Sequence, residues 1–237
     1  MNARRHFTLI ELFCVIVVIL ILVSMLHPAL LKARQKTKMV LCGNNQHQIY
    51  LGAMRSAQNQ RGNFPWASPN KGFGANGAIA AAEGNDAIWA ASDGYMAQGL
   101  LYKEGYLSDG RLVYCPMAKK LSSGYHAGME ITYEGSGTGS WSLFGKSEWT
   151  GSSYAWNGSV GMIPGSRWGR NARVADSGET PLQVDSMYKP LHRDGFMVLR
   201  LDGSCNWNKT DPASILPYVP NFGWDQMFNY GWNGAFK

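Results

Sequence analysis

The run from Phe7 to Leu26, FTLIELFCVIVVILILVSML, constrains this chain more than any other feature. Only Thr8, Glu11 and Ser24 interrupt it. At ~1.5 Å per residue, a helix of that length covers a hydrocarbon core of roughly 30 Å. Arg4 and Arg5 precede it, which holds the N-terminus on the cytoplasmic side and sends the remainder across the membrane. A cleaved secretory signal would have a shorter apolar core followed by a small-residue site, and neither is present.

Past the membrane the sequence stays helical in character. Leu30, Ala33, Val40, Leu41, Leu51 and Met54 recur at roughly helical spacing and predict a buried face. Lys32, Arg34, Lys36 and Lys38 form a charged, solvated section, and Gly43-Asn44-Asn45 weakens the pattern enough to bend it. One long helix over residues 7–60 is expected, closed by Arg61-Gly62-Asn63-Phe64-Pro65, because Gly and Pro cannot continue it. The expected organisation is a leader (1–6), a transmembrane helix (7–27), a helical stem (28–61) and a globular extracytoplasmic domain (62–237).

Within that domain, short helices are expected near Ala78–Glu83 and Ala97–Tyr106, with short strands and turns over 122–180. Phe196–Leu201, Asp202-Gly203 and Ser204–Trp207 read as a hairpin with a two-residue loop, pairing Leu201 with Ser204 and Val198 with Trp207. The fold class is therefore α+β: a long N-terminal helix, half transmembrane and half spine, packed on a small antiparallel sheet with long loops.

Composition bears on function chiefly by exclusion. The chain carries 22 basic and 16 acidic residues, a formal +6, and loss of Arg4 and Arg5 with a leader leaves about +4. No basic stripe follows residue 38, so nucleic acid is not an expected partner. With 28 Gly, 9 Trp and only 16% charged residues, a loop-rich extracytoplasmic domain anchored by aromatic side chains is expected. Trp141, Trp149, Trp156 and Trp168 permit an alternative, a membrane-tethered carbohydrate-binding module in which they stack on sugar rings.

Glu11 stands out because a carboxylate in a spanning helix costs ~2.5–3.5 kcal/mol on insertion scales. A cut before Phe7 would create an α-amino group four residues away, on the same helix or on a neighbouring copy.

The run Phe7-Thr8-Leu9-Ile10-Glu11-Leu12 resembles the cleavage and methylation signature of type IV prepilins and type II secretion pseudopilins. The resemblance implies that a prepilin peptidase cuts between His6 and Phe7 and methylates the new amine. In that family the residue before the cut is normally glycine; here it is His6. It further implies that Glu11 aids subunit registration during assembly, and Pro28 falls where many members carry a helix-bending proline. Cys42-Gly43-Asn44-Asn45-Gln46, Cys115-Pro116, and His192 followed by Phe196–Leu201 and Asp202-Gly203 resemble landmarks of a large-domain pseudopilin-like group.

The implied function is a structural subunit of a type II secretion pseudopilus or type IV pilus-like filament, and not an enzyme. Its partners would be copies of itself, other pilins or pseudopilins, the prepilin peptidase and the bacterial inner membrane, which it spans once with the C-terminal domain outside.

Cys14 lies within the span as a small apolar residue. Cys42, Cys115 and Cys205 face an oxidising compartment, and three thiols leave one unpaired. Cys42–Cys115 is the expected disulfide, with Cys205 free and buried; Cys115–Cys205 and Cys42–Cys205 are the other possible pairings. No metal or cofactor is expected, since Cys-x-x-Cys and His-Glu-x-x-His are absent and the five His are dispersed. Some secretion pseudopilins bind calcium in a C-terminal loop, but Asp185, Asp194 and Asp202 read as turn formers. A triad of Cys205 or Ser204 with His192 and Asp202 is conceivable on paper, although nothing in the sequence orders it.

Overall fold

The computed structural model describes residues 8–65, 87–90, 94–95, 97–117, 121–122, 130–131, 133–135, 141–146, 149–156, 159–160, 170–176, 178–179, 181–185, 192 and 195–209. Helix α1 runs without a break from Leu9 to Asn59, 51 residues, and includes Pro28. The chain divides into two units, Met1–Val40 and Leu41–Lys237. In the first, α1 is long and apolar enough to cross a membrane, and none of its most apolar window is buried. His6, Phe7, the segment near Ala78–Glu83, Trp168 and Asp194 lie outside the described residues.

The start of α1 has a capping mechanism written in its sequence. Thr8 is the N-cap and Glu11 stands three residues on. The Thr8 backbone N–H donates to Glu11 Oε2 at 2.8 Å, the Thr8 hydroxyl donates to the same oxygen at 2.7 Å, and the Glu11 N–H donates to Thr8 Oγ1 at 3.3 Å. This is the reciprocal Ser/Thr-x-x-Glu box that satisfies donors otherwise orphaned at a helix start. At the other end Arg61 and Gly62 adopt positive φ, and the Gly62 N–H closes back on the Ala57 carbonyl at 2.8 Å. The chain turns there, as expected, and delivers Phe64 into the core.

The second unit is α+β. Besides α1 it holds α2 (Gln98–Lys103) within the expected helical stretch, and strands β1 (Ala87–Ala90), β2 (Gly94–Tyr95), β3 (Leu121–Ser122), β4 (Glu130–Ile131), β5 (Trp149–Gly151), β6 (Tyr154–Trp156), β7 (Ser159–Val160), β8 (Arg170–Asn171), β9 (Pro181–Asp185), β10 (Phe196–Arg200) and β11 (Cys205–Asn208). Strands β2-β1-β5 form an antiparallel three-stranded sheet and β11-β10-β9-β6 an antiparallel four-stranded one. Strand alternation places Tyr154, Trp156, Gln183, Asp185, Met197 and Leu199 on one face of the larger sheet.

The face that α1 presents to this domain differs from the expected one. Leu30, Ala33, Val40, Leu41 and Leu51 are exposed and Met54 alone of the expected set packs against the core, whereas Cys42, Asn45, Gln46, Ile49, Gly52, Ala53, Ser56 and Ala57 are buried. These follow the three- and four-residue spacing of a helix stripe, but apart from Ile49 it is built of small and polar side chains. Small residues let backbone come close: a Cβ on Gly52 would meet Leu107 Cδ2 at 3.0 Å and the Tyr106 carbonyl at 3.2 Å. The polar ones have partners, as where Asn45 Nδ2 donates to the Tyr114 carbonyl at 3.1 Å. Gly43 and Asn45 therefore dock against the domain, with Asn44 exposed, and the helix continues through them.

The hairpin forms, but in a register one residue from the expected one. Met197, not Val198, lies opposite Trp207, and Val198 lies opposite Asn206. Arg200 N donates to the Ser204 carbonyl at 2.9 Å and Gly203 N to the Arg200 carbonyl at 3.0 Å. The loop is thus Leu201-Asp202-Gly203, with Gly203 at φ 83° and the Asp202 carboxylate accepting from Ser204 N at 2.8 Å. A three-residue loop of this kind pairs a turn with a left-handed glycine, where the two-residue loop would need positive φ at both centre positions. Gly203→Ala should lower unfolding stability by about 1–3 kcal/mol, since the new Cβ also meets Tyr50 Cε1 at 2.5 Å. A shift in the denaturation midpoint, with hairpin partners otherwise unchanged, is the measurement.

Candidate functional site

Four segments distant in sequence meet against the α1-facing side of the larger sheet. The α1 stripe supplies Cys42 and Gln46. Cys115 follows the 3-10 helix Gly110–Val113, held where its backbone N–H donates to Ser153 Oγ and where the Tyr114 hydroxyl donates to the Gly151 carbonyl at 2.5 Å. Asp185 ends β9 opposite Tyr154. His192 makes an isolated bridge to Gly195 just before β10. Gly195 is required for that approach, because a Cβ there would collide with the Asn208 carbonyl and meet Trp207 Cζ2 at 2.8 Å. The Trp207 indole packs edge-on to the imidazole, 5.1 Å between ring centres at 88°.

The four side chains are sealed from solvent: Cys42 and Cys115 are 0% exposed, Asp185 1% and His192 2%. One donor atom each from Cys42, Cys115 and His192 lies within 4.8 Å of the other two. Cys115 Sγ is 3.5 Å from His192 Nε2. The same Nε2 is 3.3 Å from Asp185 Oδ2. The Cys42 thiol lies 3.4 Å from Asp185 Oδ1 and 3.4 Å from the Tyr154 hydroxyl. Gln46 Nε2 donates to Asp185 Oδ1 at 2.9 Å and Met197 N to Asp185 Oδ2 at 2.8 Å.

The electrostatics follow from that packing. The Cys115 thiol is drawn down to about 6, first by the hydrogen bond from Cys42 and then, against burial, by His192. Cys42 moves the opposite way, well above an ordinary thiol, through its bond to Cys115, its burial and the Asp185 charge. Burial presses His192 toward the neutral ring, but its bonds to Asp185 and Cys115 carry it up to about 10. Cys205, beside the cluster with its thiol 3.9 Å from Gln46 Oε1, is pushed up to about 12 by burial and by Asp185.

Several expectations change here. The structure brings Cys42 and Cys115 together as the expected pair, yet both are thiols, without the disulfide. The sulfurs engage a histidine, a carboxylate and a phenol, not only each other. Cys205 is free as expected, but only partly buried. Asp185 is no turn former: it is a buried strand-end carboxylate with four neighbours. Asp202 does occupy the turn, and the triad drawn with Cys205 is not assembled, since His192 faces Cys115 and Asp185. Nor do Cys115, His192 and Asp185 form a relay. A relay places the acid on the opposite ring nitrogen from the nucleophile, whereas here both sit on Nε2, and among the described residues Nδ1 has no hydrogen-bond partner.

Trp156 is fully buried and donates from its indole N–H to the Pro65 carbonyl at 2.9 Å, and the partly buried Trp141 donates to the Tyr133 carbonyl at 3.1 Å. Trp156 therefore has no face to offer a sugar. No protein-family model, curated protein or solved structure matches the chain.

Proposed function

We propose that this chain is a structural subunit of a type II secretion pseudopilus or a related type IV pilus-like filament, cut before Phe7 by a prepilin peptidase and N-methylated there. The observation that carries the reading is the continuity of α1. One helix holds an uncovered apolar stretch, from Leu9 at 86% exposure to Val17 at 37%, and then supplies the buried stripe of the domain. Each such side chain left in water forgoes ~1.5–3 kcal/mol. Lipid covers them first; in a filament, copies of the same helix do. The convergence of Cys42, Cys115 and His192 supports reading the three landmark segments as parts of one domain type, which favours the pseudopilus branch.

Membrane-extracted protein from a host with an active prepilin peptidase should have a mature N-terminus of N-methylated Phe7. Intact mass and N-terminal sequencing read this directly. A chain still beginning at Met1 would count against processing, with His6 the residue to replace by Gly in a second trial.

A further inference from the structure

We infer that Cys42, Cys115 and His192 bind a zinc ion, with Asp185 packed against the set as the carboxylate that orients it. The inference concerns the domain's core and holds whether or not the chain assembles into a filament.

Proton counting within the cluster comes first. His192 Nε2 carries at most one proton yet faces two acceptors, Cys115 Sγ at 3.5 Å and Asp185 Oδ2 at 3.3 Å. Cys42 has one thiol proton and also faces two, Asp185 Oδ1 at 3.4 Å and the Cys115 sulfur. Hydrogen bonds alone leave lone pairs converging on one buried point, a costly arrangement away from water. A cation among the two sulfurs and the imidazole takes up their lone pairs.

The spacing fits a particular cation. Tetrahedral zinc with Zn–S of ~2.3 Å and Zn–N or Zn–O of ~2.0–2.1 Å separates neighbouring donors by roughly 3.3–3.8 Å. Cys115 Sγ and His192 Nε2, 3.5 Å apart, stand at that spacing, and Cys42 completes a set of three donor atoms all within 4.8 Å of one another. Two sulfurs and an imidazole are soft and borderline donors that suit zinc and disfavour calcium or magnesium.

An outer layer of donors also surrounds the set. The Met117 N–H, two residues beyond Cys115, points at Cys115 Sγ at 3.4 Å, and the Tyr154 hydroxyl faces Cys42 Sγ. Gln46 and the Met197 N–H fix the carboxylate. Metal ligands are characteristically oriented in this way. Complete burial makes the site structural: zinc would join α1, the Cys115 loop and the lead into β10, and its binding energy would become folding energy.

The test uses the full chain purified in detergent without chelator. Metal analysis should find about one zinc per chain, released when a mercurial blocks the thiols. Cys115→Ser and His192→Asn should retain less than about a tenth of it, while Cys205→Ser, beside the site but not in it, should retain zinc fully. Asp185→Asn should weaken affinity at least ~10-fold; unchanged affinity would remove Asp185 from the site. Because ligand variants can misfold, wild-type protein is also stripped and reloaded with cobalt, which should give tetrahedral ligand-field bands with thiolate charge transfer. A wild-type chain that takes up neither metal, or that carries a Cys42–Cys115 disulfide after expression with ample zinc, would overturn the inference.

Discussion

Asp185→Ala should lower the thermal midpoint of the domain by about 6–20 °C, following a loss of ~3–5 kcal/mol and ~2–4 °C per kcal/mol for a chain of this size. The carboxylate accepts from Met197 N at 2.8 Å and Gln46 Nε2 at 2.9 Å, and it faces His192 and the Cys42 thiol. Truncation strands all of these in a region with no access to water, which is why deleting one member of a buried pair costs more than the pair contributes. Asp185→Asn keeps the shape and one acceptor, and Gln46 can turn its amide to meet the new NH2 group. A cost of about 1–2 kcal/mol is expected for it. Glu179, exposed near the hairpin, serves as control: Glu179→Ala should stay within ~0.5 kcal/mol. The buried Trp156 reports unfolding by its fluorescence in detergent. If Asp185→Ala melted with the wild type, the carboxylate could not be the hub described.

How much of this was legible in the sequence depends on how local the physics is. The N-terminal helix was plain because its signal is composition, and the box joining Thr8 and Glu11 follows from a fixed three-residue spacing. The stop at Arg61-Gly62 was equally local. The helix face is harder to read because exposed Leu41 and Leu51 mimic a core stripe, while the true stripe sets Cys42 and Ile49 among Gly, Ala, Ser, Asn and Gln, which allow close approach and specific partners. The hairpin register turned on whether Leu201 belongs to the strand or the loop, a one-residue choice that Asp202-Gly203 does not settle. The site lay furthest from reach. Cys42 and Cys115 could be paired, but Asp185 stands 143 residues from Cys42 and His192 77 from Cys115. Ligand spacing carries no signal when each donor arrives on a different element. The one available hint was that three segments read as separate landmarks each held a Cys or a His.

Glu11 now has two separable roles, and a pair of substitutions divides them. As the N3 residue of the box it accepts two hydrogen bonds from Thr8, a local service that glutamine also performs. As a carboxylate it would meet, in the filament reading, the Phe7 amine of a neighbouring copy in a low-dielectric core. Glu11→Gln keeps the first role and abolishes the second; Glu11→Leu loses both. A buried amine left without its partner costs ~3–5 kcal/mol, which is roughly 10²–10⁴-fold in each subunit's association. Loss of the box alone costs only ~1 kcal/mol. If the charge drives assembly, Gln and Leu should abolish filament yield or secretion alike, with both variants at normal abundance in the membrane fraction of the native host. Should Gln assemble as wild type while Leu fails, the box is what matters and the amine pairing is wrong. Normal assembly by both would leave α1 as an anchor and the domain as a tethered module. The pairing with Phe7 also requires the cut before it, so an uncleaved His6–Phe7 bond should reproduce the assembly defect of Glu11→Gln in an otherwise wild-type chain.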